Sequence, residues 1–422
     1  MNRAALLHQF EKENGVTPVA VIGAGYVATG VIHVLSATPA VTPALVVNRD
    51  VSKAISAFQA QGADIEDIVV SDDVNTLASA ISDKRPAVTQ NSQVISSLPI
   101  DVIIEATGAI DYGTSVILSM LDAQKHVISY NAEADALLGW TFHERARENG
   151  VVYTIADGDQ PGAMLRLQQE VESMGFVTTT LLNCKRHLNV HQNPESGSGY
   201  SARDTTSAHM TTAFGDGTKM QVEQAVVANI TAMPPCKRGM CGIETTLEEA
   251  AVTIAGTLPE GNLVDYTLAG DFGAGVGAMA RHDDYELHKK AMVLYKMGEG
   301  PDYFFFRPYH LVHLELPSTL VDVLIYKRGL GTVEIPHVAE VTAIAKKNLE
   351  AGEKLDCIGG FSAYGHIDTA EGSRGYLPVG LVEYATMVEP VSIDEPIPLA
   401  AAKLDTSVAA VQIWLEQQKK WS

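Results

Sequence analysis

The stretch VAVIGAG, residues 19–25, constrains this chain more than any other. A short, continuous apolar run suits a strand buried on both faces, and the glycines behind it mark a sharp turn into the helical stretch that follows. Further strands of the same kind follow: ALVVNRD (44–50), DVIIEATG (101–108), HVISYN (126–131) and VVYTIADGD (151–159). Strands alternating with helices predict a parallel sheet, and right-handed crossovers put every strand's C-terminal end on one edge. The first third is therefore expected to be a doubly wound α/β domain of Rossmann type.

Bulk properties narrow the partners. A chain of 422 residues is expected to form two or three domains of roughly 100–200 residues. No apolar run approaches the ~18–20 residues of a membrane span. The opening MNRAALLHQFEKENG, with Glu11 and Glu13, reads as a short amphipathic helix rather than a secretory leader, so a cytoplasmic location is expected. Acidic residues outnumber basic ones 51 to 30, a formal charge of -21. That field repels phosphate backbones and anionic lipid, which argues against nucleic acid and membrane. Four cysteines are too few for a disulfide scaffold. Cys236 and Cys241 lack CxxC spacing, so both are expected to be reduced and structural.

The pattern changes after the first domain. Residues 1–160 are read as the dinucleotide-binding domain, 161–330 as an α+β substrate and oligomerisation domain, and 331–422 as a mainly β unit. Within the second, GFVTTTLLNCKRHLNV reads as a strand, and 191–207 as a mobile loop. GTKMQVEQAVVANIT fits a strand or a helix by period. NLVDYTLAGDFGAGVGAMARH reads as glycine-rich strands with bulges. PSTLVDVLIYKRG reads as a helix with Pro317 in its first turn, returning to the first domain.

Several motifs carry chemistry. Gly23, Gly25 and Ala28 form G-x-G-x-x-A between a strand and a helix. This is the dinucleotide fingerprint: a tight turn, close approach of a pyrophosphate, and a small residue where helix meets sheet. Amides at Tyr26 and Val27 would face the phosphates at the helix N-terminus. An NAD site expects a carboxylate about 20 residues further on. Here the second strand ends Asn48–Arg49–Asp50. Asn48 suits a ribose and Arg49 a 2′-phosphate, which favours NADP(H) over NAD(H), with Asp50 available for the NAD role. Thr107 and Gly108 end a strand where a nicotinamide would lie. Asn131 and Glu133 are candidates for its carboxamide or the substrate, with a helix cap the competing role for Asn131.

Lys185 lies on a predicted strand between Cys184 and Arg186 and suits a proton donor or carbonyl polariser, with Asp159 in the turn DGDQP as its counterpart. The bland alternatives are a surface lysine and a turn aspartate. Asp157 and Asp159 could also hold a divalent ion through oxygen ligands, though nothing else in the sequence supports one. In FFFRPYHLVHLELP (304–317), Arg307 suits a carboxylate or phosphate, and Tyr309 and His310 suit a hydroxylated substrate. His310 and His313, at i and i+3, lack the further ligands of a metal site.

Taken together, VAVIGAG, DVIIEATG, GDQP, the Lys185 strand, GEGPDYFFFRPYHLVHLELP and AIAKKNLEAGEKLD resemble homoserine dehydrogenase-like oxidoreductases with a C-terminal SAF-type domain. The closest characterised branch is the deoxyxylulose phosphate reductoisomerase-like enzymes. The resemblance runs nearly end to end and implies hydride transfer with NADP, Lys185 and Asp159 near the reacting carbon, Arg307 and Tyr309 at the substrate, and a homo-oligomer. It also implies an SAF-like fold for 331–422. The chain departs from that branch at Glu244, where an arginine serves the substrate phosphate, with Lys237 and Arg238 as substitutes. Arg186–His187 also stand where small polar amides are expected. A phosphorylated substrate therefore does not follow. The expected activity is an NAD(P)H-dependent dehydrogenase or oxidoisomerase on a small polyhydroxylated or acidic compound. The alternatives are a reductoisomerase-like enzyme of isoprenoid biosynthesis and a non-catalytic cofactor sensor.

Overall fold

The computed structural model describes residues 2–197, 207–333 and 337–421. Residues 198–206, the larger part of the loop expected to be mobile, lie outside that range. The chain divides into two compact units: Met1–Asp159 with Leu311–Thr332, and Gln160–His310 with Val333–Ser422. No helix among the described residues is long and apolar enough to cross a membrane.

The first unit begins with α1 (Arg3–Asn14), β1 (Thr17–Ile22), α2 (Tyr26–Ala37), β2 (Val41–Val47) and α3 (Val51–Gln59). It continues through β3 (Val69–Val70), α4 (Val74–Ser82), β4 (Ala87–Thr89), β5 (Val102–Glu105) and α5 (Ile110–Asp122). It then adds β6 (His126–Ser129), α6 (Ala132–Glu148) and β7 (Tyr153–Ile155). The seven strands form one sheet in the order β3-β4-β2-β1-β5-β6-β7, parallel throughout. Both faces are covered, so β1 and β5 carry unbroken buried runs rather than alternation. The chain moves to one side of β1 with β2 and to the other with β5. That reversal is the switch point at which a doubly wound sheet opens a crevice for a ligand.

The second unit opens with α7 (Gln160–Ser173), β8 (Val177–Lys185), α8 (Ala208–Gly215), α9 (Thr218–Thr231), β9 (Ile243–Glu244) and α10 (Ala250–Thr257). β10 (Leu263–Leu268), β11 (Gly275–Arg281), α11 (Tyr285–Leu294) and β12 (Asp302–Arg307) follow. The sheet order is β12-β11-β8-β10-β9. The stretch compatible with strand or helix is α9. The glycine-rich stretch forms β10 and β11, with a register shift between Met279 and Ala280. α12 (Leu316–Leu324) carries Pro317 in its first turn and belongs to the first unit. Leu316, Leu320 and Val323 are fully buried in that unit's core.

The C-terminal region, part of the second unit, pairs β13 (Ala339–Ala345) with β14 (Ala363–Thr369), and β15 (Ala385–Met387) with β16 (Ala402–Leu404). Both pairs are antiparallel, and α13 (Ala409–Trp421) ends the chain. α9 supports the first pair through side chains on one of its faces. Asn229 accepts from Val338 and Ala339 amides (2.8 and 2.9 Å), Thr218 from Gly365 (2.9 Å) and Gln221 from Ile367 (2.9 Å).

Candidate functional site

In the first unit the site starts from backbone. Gly23 sits at φ +112°, and a Cβ there would stand 2.9 Å from the Ala106 carbonyl oxygen, so the turn admits only glycine. Its amide donates to Val47 (2.8 Å), tying the end of β1 to the end of β2. Gly25 is the N-cap of α2 and supplies no side-chain cap, and the space where its Cβ would lie is open. The first amides of α2, at Tyr26 and Val27, therefore lack a side-chain acceptor, which suits an anionic diphosphate. Ala28 is fully buried against the sheet. Tyr26, 65% exposed, meets His313 edge-on at 6.1 Å between ring centres.

At the end of β2, Asp50 caps α3 by accepting from the Ser52 and Lys53 amides (3.0 and 3.4 Å). Asn48 donates from Nδ2 to the Asp50 carbonyl (2.8 Å), which leaves its Oδ1 for a ligand. Arg49 is exposed, and its guanidinium has no partner among the described residues. A guanidinium without a carboxylate partner at this strand end can meet an anionic group.

After β5, Glu105 is fully buried and burial raises its pKa. It accepts from the Thr107 amide (2.9 Å) and from the Thr107 hydroxyl, which shapes the turn into Gly108 at φ +67°. Asn131 caps α6 by accepting from Ala134 (3.1 Å) and donates to the Ala109 carbonyl (3.1 Å). It is buried, so its observed work is to brace this edge. Glu133 lies buried in the first turn of α6. Asp157 is buried and accepts from the Thr319 hydroxyl (3.0 Å). Asp159 is half-buried. It lies close enough to the buried Tyr130 phenol to raise its pKa, after burial itself and together with Asp157 and Glu315.

The second unit carries a polar cluster on one sheet face. Leu182 and Cys184 of β8 point into an apolar core with Phe272 and Phe304. Alternation therefore turns Asn183 and Lys185 to the other face. There Gln160 donates to Asn183 Oδ1 (2.8 Å), and Asn183 donates to Glu223 Oε2 (3.1 Å). All three are at least nine-tenths buried. Burial lowers the pKa of Lys185, with Glu223 opposing and Lys219 adding to the shift. Val276 pairs with both Asn183 and Arg307 across β11, so those two side chains lie in one cross-strand row, about 10 Å apart. The Arg307 guanidinium stacks on Tyr309 at 4.8 Å, Tyr309 is half exposed, and His310 follows.

Lys219 and Glu223 escaped the sequence reading. They occupy successive turns of α9, i and i+4, but the helix is buried on nearly every side and shows no single apolar stripe. Arg238, expected at the substrate, has partners in the C-terminal region. Its guanidinium pairs with Asp368 (2.7 Å), donates to Gly372 (2.7 Å) and stacks on Tyr376 (4.5 Å), so it anchors the C-terminal region. The departures Arg186, His187 and Glu244 line a cleft of about 480 Å³ at the ends of β8 and β10, with Thr245, Thr246 and Glu249.

Two family models match the sequence. One, described as the NAD-binding domain of homoserine dehydrogenase, covers residues 23–155. The other, described as the catalytic domain of oxidoreductase DRL, covers 158–316. A comparison with curated proteins finds no match. Among solved structures, a homoserine dehydrogenase from Thiobacillus denitrificans is similar at 14% identity and a TM-score of 0.38, over 80% of this chain and 83% of that one. A 1-deoxy-D-xylulose 5-phosphate reductoisomerase from Zymomonas mobilis, in complex with NADPH, is 15% identical at 0.37, over 52% and 59%. A putative myo-inositol dehydrogenase from Sinorhizobium meliloti is 8% identical at 0.39, over 73% and 89%.

Proposed function

We propose that this chain, an NAD(P)-dependent oxidoreductase of the homoserine dehydrogenase-like kind, prefers NADP(H) and interconverts a carbonyl and an alcohol on a small polyhydroxylated or acidic compound. The observation that carries the reading is Lys185. Its pKa is lowered by burial, and it shares a sheet face with the Gln160–Asn183–Glu223 chain and Arg307.

The amides at Gly25, Tyr26 and Val27 hold the diphosphate, Asn48 the ribose and Arg49 its 2′-phosphate. Thr107 and Gly108 border the nicotinamide, and Glu133 lies near its amide. The bound dinucleotide supplies the hydride. Lys185 gives its proton to the substrate oxygen in reduction and takes it back in oxidation, a role that a lowered pKa favours near neutrality. Asp159, after β7 at the C-terminal edge of the parallel sheet, joins the acid–base chemistry. Arg307 holds the substrate's carboxylate, and Tyr309 and His310 orient its hydroxyls. The mixed lining of the Arg186–Glu244 cleft suits a compound rich in hydroxyls.

Titration with NADPH and NADH, followed by turnover of a panel of sugar acids and hydroxy acids, tests the reading. Lys185→Ala should cut kcat at least ~100-fold and leave NADPH affinity within about twofold, the size of a side chain that does not touch the cofactor. Unchanged turnover removes Lys185 from the chemistry. Loss of cofactor binding as well makes it structural and favours the sensor reading.

A second reading, a reductoisomerase-like activity on deoxyxylulose phosphate, draws support from the DRL catalytic-domain match. With Arg238 engaged by Asp368, Lys237 is the substitute that would serve its phosphate. Turnover of deoxyxylulose phosphate with NADPH decides it. Assembly as a homo-oligomer belongs to the same proposal, and sedimentation velocity measures it.

A further inference from the structure

Cys236 and Cys241 flank the turn between α9 and β9, and their sulfurs stand 2.8 Å apart. The backbone brings them together. Gly239, Met240 and Gly242 all take positive φ, and the Met240 amide donates to the Lys237 carbonyl (3.0 Å), folding the segment back on itself. A methionine in the left-handed region is held there by its surroundings. Those surroundings include Gly239 donating to the Ile367 carbonyl (2.7 Å) and the Arg238–Asp368 pair. Asp265 completes the group. Its carboxylate lies 3.8 Å from the Cys236 sulfur and is oriented by the amides of Cys241 (2.9 Å), Gly242 (2.9 Å) and Tyr266 (2.8 Å).

The donor atoms of Cys236, Cys241 and Asp265 lie within 4.8 Å of one another, which admits a thiophilic metal as well as a sulfur–sulfur bond. The geometry favours the bond. Two thiolates at tetrahedral positions on zinc, each at about 2.3 Å from the metal, stand roughly 3.7 Å apart. The Asp265 oxygens already accept from three amides.

We propose that Cys236 and Cys241 are a redox-active dithiol, converted reversibly to an intrachain disulfide by a low-molecular-weight disulfide such as glutathione disulfide. Cys236 gives its proton to Asp265 and attacks one sulfur of the oxidant, releasing one glutathione thiolate. Cys241 then attacks Cys236 in the mixed disulfide and releases the second. The two protein thiols lose two electrons and two protons, and glutathione disulfide becomes two glutathiones. Burial pushes the Cys236 thiol up to about 12 and also raises Asp265. The sulfur is therefore protonated at neutral pH, its neighbour is a stronger base than an exposed aspartate, and exchange is slow.

The test equilibrates the full chain in glutathione buffers from reducing to oxidising, quenches with acid, alkylates, and maps peptides by mass spectrometry, with metal content measured alongside. Cys236 and Cys241 should lose alkylation together, linked to each other, and regain it in reductant whether or not a chelator is present. Asp265→Asn should slow oxidation several-fold and leave the endpoint unchanged. Two thiols that stay alkylatable at the oxidising end overturn the proposal. So does protection that survives reductant and disappears only with chelator, which marks a bound metal instead.

Discussion

Arg49 and Asp50 are neighbours at the end of β2 and do opposite work. The aspartate spends its carboxylate on the cap of α3, while the arginine's guanidinium, on an exposed residue, has no partner among the described residues. Arg49→Ala should therefore weaken NADPH binding about tenfold or more, the worth of a charge-assisted hydrogen bond, and leave NADH nearly unchanged; fluorescence titration measures both. Asp135 makes a different case. It is buried, accepts from the Tyr153 hydroxyl (2.9 Å), and burial raises its pKa to about 7. Its folded pKa lies above its unfolded one, so the folded state binds the extra proton and this contribution to stability is lost as pH rises towards 7. From about pH 5 to about pH 7.5 the loss should be roughly 2–3 kcal/mol. Asp135→Asn should flatten that part of the curve in urea unfolding, and an unchanged slope would refute the assignment. The turn at Gly23 was legible in the sequence because it rests on local backbone geometry, and Arg49 stood out there by its charge. Asn131 was legible only as a choice between cap and ligand, since its partner Ala109 lies 22 residues away. The fate of Arg238 depends on Asp368, 130 residues on, and no local pattern carries that.

Among elements, the glycine-rich β11 illustrates how a sequence oddity becomes a packing rule. A Cβ on Gly277 would land on the Phe304 ring, and one on Gly275 would meet the Phe306 ring. Phe304 and Phe306 of β12 and the glycines of β11 are thus two halves of one device, in which rings cover bare backbone on the neighbouring strand. Gly277→Ala should cost about 1–3 kcal/mol through overpacking, read as a lower Tm with the cofactor preference intact. The bulge in this region was expected from the glycines alone; the reason for them was not, because ring and glycine meet only across the ladder. α9 shows the limit of periodicity. One face supports β13 and β14 through Thr218, Gln221 and Asn229, and another presents Lys219 and Glu223. A helix with polar tasks on two faces has little amphipathic signal, so its type and its buried Lys219 and Glu223 were both hidden.

Across the whole molecule, the parallel sheet was readable because five β-branched runs recur in order, whereas the grouping of distant segments was not. Lys346, in the AIAKK stretch, is buried and donates to the Gln192 and Gly360 carbonyls (both 2.9 Å) and to Asp216 (2.8 Å). All three protons of its ammonium are used, and segments far apart in sequence are fastened at one atom. Lys346→Met should cost about 3–5 kcal/mol by leaving Asp216 buried and unpaired. Burial already raises the Asp216 pKa and Lys346 opposes it, so without the lysine the carboxyl neutralises more readily. The variant should recover stability as pH falls, and denaturant unfolding across pH checks both parts. The course of the chain between the two units has a consequence for synthesis. It passes from the first unit to the second after Asp159, returns at Leu311, and leaves again after Thr332. A ribosome therefore releases the parallel sheet long before α12, whose Leu316, Leu320 and Val323 complete its core. The nascent first unit must wait with an apolar bed uncovered while some 150 residues of the second are made. No single proteolytic cut can then separate the finished units, since each is stitched to the other more than once.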